Sequence, residues 1–564
     1  MVQAAKDIQA VVHGNADEKM ALPLRLPRSP EFLLNRELSL IEFFRRVLEE
    51  ALDETQPILE RVKFLSIFSS ILDEFFMIRV SSLKEESEYA VELSPDGMTP
   101  AEQLREIRLR LLPMIGEQMR CLKESVLPEL ATKGIKIISY NSLAHSERQN
   151  LQDYFERKIY PILTPQAVDP SHPFPYISGQ SLNLGLMFRP KARSKFARKL
   201  RKKDDALFAR IKIPPIAPRL IPIEVDQTRF VLLEELIAAN IRALIPEAKA
   251  EDCYPFRVTR DADIELREEE AEDLSQMMEQ NLRQRRFGDA VRLEVAQSMS
   301  HEMIEYLSES LELKPEDVYV IDGPLNVADL MALYKLDRPE LKDKPLRITH
   351  PVVINRDESI FDAIKRQDIL FHHPYMPYGV VTSFIKDAAR DPDVLAIKMC
   401  LYRTGADSPI PLALIEASER GKQVTALIEL KARFDEENNI NWARRLERAG
   451  VHVVYGLLGL KTHCKTTLIV RQEGDELRRY VHIATGNYNP ETSAVYTDLG
   501  LLTADEDIGA DATELFNLLT AYSQHNDYHQ LMVAPINLRE SIVGLIQRET
   551  ANARRTPRAH YRQN

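Results

Sequence analysis

Five short apolar runs constrain the fold of this chain more than any other feature: Val394 to Leu401, Val424 to Leu430, Val451 to Tyr455, Thr466 to Arg471 and Tyr480 to Thr485. Each has the length and composition of a buried strand, and amphipathic patterns at 409–420 and 435–449 separate the first three. The segment therefore reads as a β-α-β-α-β core followed by a hairpin. Ligands of such sheets gather outside the carboxyl ends of the strands. Arg403 lies just past the end of the first run and Arg433 just past the second.

Lys461-Thr462-His463-Cys464-Lys465 leads into the fourth run. In a strand, side chains two apart share a face, so His463 and Lys465 project together while Cys464, Thr466 and Leu468 turn away. A free imidazole titrates near ~6.5, which leaves His463 able to attack phosphorus at neutral pH with Lys465 beside it as a point charge. Guanidinium forks at Arg403 and Arg433 match phosphate oxygens, and phosphoryl transfer is catalysed largely by positioning and charge neutralisation. The blander alternative is a polar edge strand with solvated His463 and Lys465, and arginines that only pair with Asp435-Glu436-Glu437.

A formal charge of −12 and a pI near 5.7 argue against a general nucleic-acid binder, and no specific nucleic-acid partner is expected. A polyanionic substrate would need only a locally basic cleft. Cys121, Cys253, Cys400 and Cys464 form no C-x-x-C pair, which suits a reducing compartment and no structural zinc site. No apolar run reaches membrane-spanning length, and Lys6, Asp7, Asp17 and Glu18 stand where a signal peptide would be apolar. A cytoplasmic location follows as the expectation.

At 564 residues the chain exceeds one core, and the expected class is multidomain α/β. Residues 1–30 read as a flexible arm, 31–132 as a helical N-terminal domain, 133–349 as a mixed α+β middle domain, 350–530 as the α/β catalytic domain and 531–564 as the start of a further domain. Ser39-Leu40-Ile41-Glu42 has capping-box spacing, with Phe43, Val47 and Ala51 continuing one face. A second helical face runs through Ile58, Val62, Leu65, Leu72 and Phe75, and a third helix is expected near 100–126. The middle domain carries strand-like Leu182 to Met187, Phe208 to Ile213 and Val291 to Glu294, a helix over 269–284, and a basic run at 189–203 that reads as a solvated loop or a polyphosphate or RNA contact. His372-His373-Pro374 reads as structural, His482 as a satisfied core histidine, and a last helix is expected over 537–552. Gly456 to Thr462 mimics a P-loop but has Leu460 where glycine must precede the lysine.

Tyr402-Arg403-Thr404-Gly405, Glu429-Leu430-Lys431-Ala432-Arg433-Phe434-Asp435-Glu436-Glu437-Asn438-Asn439, Lys461-Thr462-His463, Gly486-Asn487-Tyr488-Asn489 and Tyr496-Thr497-Asp498 resemble the blocks of bacterial polyphosphate kinase, the phospholipase-D-like type. Leu72-Asp73-Glu74-Phe75-Phe76, His172-Pro173-Phe174-Pro175 and Arg260-Asp261-Ala262-Asp263 extend the resemblance upstream. It implies reversible transfer of the terminal phosphate of ATP to inorganic polyphosphate through a phosphohistidine, with Mg2+ accompanying the nucleotide, ADP as the other product, and a phospholipase-D-like catalytic domain. It also implies His463 as phosphate acceptor, Arg403 and Arg433 at the phosphate and Mg2+ site, Tyr496 at the nucleotide, and Asn487 and Asn489 in support. Arginine has donors only, so both read as phosphate ligands and no protein ligand to the metal is assigned. A homo-oligomer is expected.

Two departures accompany the resemblance. Ile71 stands where the family has an ATP-contacting asparagine, and it cannot make that hydrogen bond. The chain also ends where the family's second phospholipase-D-like half begins, so little long-chain polyphosphate synthesis is expected of it. A degenerate paralogue or fragment that binds polyphosphate or a partner is the alternative function. A phosphodiesterase of the phospholipase-D type is disfavoured by Val470, which stands where that type has aspartate.

Overall fold

The structure is a computed structural model that describes residues 30–89, 93–168, 172–188, 207–223, 228–262, 277–279, 288–349, 354, 358–405, 407–457, 459–521, 523 and 527–555. The N-terminal arm, the basic run at 189–203, most of the 269–284 helix and the tail beyond 555 lie outside the described residues. The described chain divides into two compact units, the first formed by Leu24–Glu265 with Arg283–Lys344 and the second by Leu266–Leu282 with Pro345–Asn564.

The first unit begins with helices α1 (Arg36–Leu52), α2 (Ile58–Phe75) and α3 (Pro100–Arg120). Asn35 caps α1 by accepting the N–H groups of Glu37 and Leu38, so the helix starts earlier than the Ser39 pattern suggests, and Ser39 lies inside it. The buried face is correspondingly Ile41, Phe44, Leu48 and Ala51, while Phe43 is exposed. On α2 the expected face holds: Ile58, Val62, Leu65, Leu72 and Phe75 are all buried. Thr99 and Glu102 close a capping box on α3, which runs on through a wide-turn segment to Val126.

A six-stranded sheet completes this unit: β1 (Gln166–Ala167), β2 (Leu182–Phe188), β3 (Leu207–Lys212), β4 (Tyr254–Arg260), β5 (Ala290–Ala296) and β6 (Val318–Ile321), in the order β1-β3-β2-β4-β5-β6. A bidentate ion pair from Arg257 on β4 and a bond from Arg292 on β5 close on Asp73 of α2, all three side chains buried. Asp73 is thus the pin between helix and sheet. Ile71 packs half-buried against the apolar cluster of the same unit.

The second unit is built on a seven-stranded sheet: β7 (Ile369–His373), β8 (Val394–Leu401), β9 (Gln423–Ile428), β10 (His452–Val454), β11 (Lys465–Glu473), β12 (Glu476–Ala484) and β13 (Asp498–Thr503), in the order β7-β13-β12-β11-β8-β9-β10. Strands β8, β9 and β10 run parallel, joined by α4 (Pro409–Glu419) and α5 (Glu436–Arg448). Both helices stop at a left-handed glycine, Gly421 and Gly450, whose neighbours Lys422 and Val451 donate back to Ala417 and Leu446. Strand β11 pairs antiparallel with β8, Met399 opposite Thr467, so its N-terminal end lies beside the C-terminal end of β8. That register brings Lys465 and the residues before it to the strand ends that carry Tyr402 and Arg403. Met278 is buried in the core of this unit and Glu279 pairs with Arg444. Helices α6 (Glu506–Ala521) and α7 (Leu538–Arg555) end the described chain.

Candidate active site

The site grows from the ends of three strands. Strand β8 ends at Leu401, and the next residue, Tyr402, presents a nearly buried ring that organises what surrounds it. The His463 ring meets it edge-on with centroids 5.0 Å apart. Lys465 Nζ lies 4.9 Å, the Arg403 guanidinium 5.5 Å and Lys461 Nζ 5.8 Å from the same ring centre. A π face attracts cations, so three positive side chains gather there beside one imidazole.

His463 precedes the strand instead of lying in it, since β11 and its pairing with β12 both begin at Lys465 opposite Ala484. The segment before Lys465 is held by other means. Glu429, a buried acid at the end of β9, accepts the N–H of Thr462 at 2.6 Å and that of Lys431 at 2.9 Å, and Lys431 Nζ donates to the Leu460 carbonyl at 2.6 Å. Lys465 Nζ turns back to the His463 carbonyl at 2.6 Å. Cys464 packs the opposite way, its sulfur 3.5 Å from that of Cys400 within an apolar cluster.

Arg403 Nη2 donates to the Arg433 carbonyl at 3.2 Å, while its Nε, in ion-pair range of Asp435 at 3.3 Å, makes no hydrogen bond among the described residues. Arg433 therefore joins the site through its backbone, at a turn where Phe434 adopts a left-handed φ of 68°. Asn439 on α5 ties the strand ends together, donating to the carbonyls of Tyr402 at 2.7 Å and Glu429 at 2.9 Å. Trp442 Nε1 donates to the Gly405 carbonyl at 2.8 Å. Asn489 caps a short helix at Pro490–Ser493, and Gly405 sits close enough that a Cβ there would lie 3.5 Å from its Nδ2. Asn487 Oδ1 is buried with no hydrogen-bond partner among the described residues. Gly486 admits no side chain, because a Cβ would fall 2.5 Å from an Asp498 carboxylate oxygen. Tyr496 is largely exposed.

These positions set the charge states. Partial burial of the His463 ring, reinforced by Lys465, Lys461 and Arg403, holds its pKa below the ordinary imidazole value. Burial pushes the Lys465 ammonium down to about 8. His482 is buried with Nδ1 2.8 Å from the Tyr488 hydroxyl, and burial takes it down to about 3. Its Nε2 has no partner among the described residues, so this core histidine is only half satisfied. Glu429, Asn439, Tyr402 and Lys461 were not marked as functional by the sequence. The signal for Glu429 was present as an acid closing an apolar strand.

No group of three or more His, Cys, Asp or Glu side chains among the described residues could hold a metal ion. No described helix is long and apolar enough to cross a membrane.

The fold and site define a multidomain α/β protein whose strand ends present an imidazole among three cationic side chains. Three family models match in order: the polyphosphate kinase N-terminal domain at 33–138, the middle domain at 146–333 and C-terminal domain 1 at 359–525. The polyphosphate kinase of Prosthecochloris aestuarii is 47% identical over 547 residues, covering 95% of this chain and 75% of the relative. That of Synechocystis is 49% identical over 551 residues, covering 93% and 74%. The crystal structure of polyphosphate kinase from Porphyromonas gingivalis superposes with a TM-score of 0.76 at 28% identity, covering 93% of this chain and 74% of that one. The chain belongs to the polyphosphate kinase family, and its activity class is that of a kinase, a phosphotransferase.

Proposed function

We propose that the chain transfers the terminal phosphate of ATP to inorganic polyphosphate through a phosphorylated His463. One observation carries this reading: among the described residues His463 is the imidazole that meets the Tyr402 ring among Arg403, Lys461 and Lys465, and its partial burial, with those cations, favours the neutral form. A neutral ring nitrogen has the lone pair that attack on phosphorus requires. As the N–P bond forms, the bond from the γ-phosphorus to the bridging oxygen breaks and ADP leaves with that electron pair. In the second half-reaction a terminal oxygen of polyphosphate attacks the same phosphorus and the N–P bond breaks, returning His463 neutral and the chain one phosphate longer. Arg403 and Lys465 would oppose the charge on the equatorial oxygens, with Arg433 beside them. Tyr496, Asn487 and Asn489 are proposed to serve the nucleotide side of the site.

Mg2+ fits this site only as part of the substrate. The cationic surroundings of His463 disfavour a bare metal ion, and the described residues offer it no cage. When bound it would neutralise phosphate oxygens; the protein's own residues supply the nucleophile and the positioning.

Incubation with γ-labelled ATP and Mg2+ should give an acid-labile, base-stable phosphoenzyme that disappears in His463→Ala. Undiminished labelling of that variant would remove His463 from the reaction.

A further inference from the structure

The first unit holds a cleft of about 760 Å3 with both apolar and polar lining. Pro214, Ala217, Pro218 and Leu233 give the cleft apolar lining and Ser178, Gln180, Ser181 and Lys212 polar lining, and its two carboxylates, Asp73 and Asp329, are paired with Arg257 and Arg219. Size and mixture both match small-molecule sites, which span roughly 300 to 1,000 Å3 and combine apolar walls with a few placed polar groups.

Lys212 is the residue that asks for a ligand. Its ammonium donates to Ser178 Oγ at 2.9 Å and meets no carboxylate among the described residues. Two positions earlier on the same face of β3, Arg210 is buried and donates Nε to Asn183 Oδ1 at 2.7 Å and Nη1 to Gln166 Oε1 at 2.6 Å, both neutral amides. Burial lowers the pKa of each, Arg210 to about 10. The other cations of the cleft differ: Arg219 is paired with Glu234 and Arg257 with Asp73. Taking positive charge out of water without an anion is costly, and an anion in the cleft would offset that cost.

The polar lining is also held in place. Asn183 Nδ2 donates to the Ser181 carbonyl at 2.8 Å and its hydroxyl at 3.2 Å, linking Arg210 to the loop. Within that loop Gln180 keeps a left-handed φ of 59° while its N–H donates to the Val258 carbonyl at 2.8 Å. Strain of this kind in a non-glycine residue persists where the surroundings impose it and clusters at ligand sites.

We propose that this cleft of the first unit is a phosphate-binding site, lined without any residue of the His463 neighbourhood, in which a phosphate group pairs with Lys212 and the hydroxyls of Ser178 and Ser181. Arg210 adds charge from behind. Two sources carry the required group: a nucleoside phosphate, whose base and sugar would use the apolar lining, and a short polyphosphate chain, which would not.

Equilibrium dialysis of the full chain against radiolabelled ADP, and separately against radiolabelled tripolyphosphate, tests this without any phosphotransfer. Lys212→Met keeps the stem and removes the charge; one class of sites should weaken about ten- to a hundredfold, the worth of a charge-assisted hydrogen bond. Ala217→Trp, which fills the cleft from its apolar lining, should weaken the same class. Loss confined to ADP assigns a nucleoside phosphate, and loss extending to tripolyphosphate assigns the chain. If both variants unfold thermally as the parent does and bind both ligands as the parent does, the cleft is not a phosphate site.

Discussion

The carboxylate of Glu429 accepts the backbone N–H of Thr462 at 2.6 Å, so a buried acid at the end of β9 holds the residue next to His463. Glu429→Ala would leave both N–H groups without their acceptor, a loss of about 1 to 3 kcal/mol. The proposed nucleophile would then sample more positions, so single-turnover labelling of His463 should slow by roughly tenfold or more while ATP affinity changes little. Quench-flow labelling beside nucleotide titration checks this; equal losses in both would mean that Glu429 supports the fold in general.

Arg403, proposed to oppose charge on phosphate, also acts on His463 through its own charge. Its positive field is one of the causes that depress the His463 pKa. Arg403→Ala should cut labelling about 10²-fold, the usual effect of removing a charge-stabilising donor. It should also raise the His463 pKa toward the ordinary ~6.5, so the imidazole protonates earlier on acidification and the acid limb of the rate profile moves to higher pH. A profile that loses height without moving would show that Arg403 does not set the titration of His463.

Lys465 gives the opposite limb. Its ammonium is held down to about 8 by burial, so charge beside the reaction is present below that pH and lost above it. Labelling should fall as pH rises through about 8, and Lys465→Arg, which keeps its charge to far higher pH, should flatten that limb at some cost in height. A basic limb unchanged in Lys465→Arg would assign it to another group.

Much of the second unit was legible because its strands are short apolar runs of the right length, and the parallel core with its two helices lies where those runs place it. Strands β7 and β13 were not legible. His372, His373, Asp498 and Gly500 interrupt their apolar character, and they pair with each other across more than a hundred residues of chain. The Ser39 pattern misled for a local reason: capping-box spacing recurs inside helices, and only the chain entering at Asn35 decides which polar residue caps. The neighbourhood of His463 and Lys465 could be read from their adjacency. The hold of Glu429 on Thr462 and of Asn439 on two strand ends could not, because each joins residues distant in sequence that only the folded sheet brings together.

In the first unit, Asp73 is buried with Arg257 and Arg292 both bonded to it, and Glu294 completes the cluster from the sheet side. Removing one partner of a buried ion cluster leaves charge without compensation, so Asp73→Ala should destabilise this unit by about 3 to 5 kcal/mol. The pH dependence has a definite sign. Burial alone would raise the Asp73 pKa, but the two guanidinium groups outweigh it and hold the carboxyl below its ordinary value. The carboxylate's contribution is therefore fully present above the unfolded value near ~3.9 and is lost as pH falls through the lower folded one. Denaturant unfolding followed from about pH 7 down to about pH 3 should show a steeper acid loss in the parent than in Asp73→Asn, which has no such proton to take up. Equal acid slopes in parent and variant would mean that other carboxylates carry the acid sensitivity of this unit.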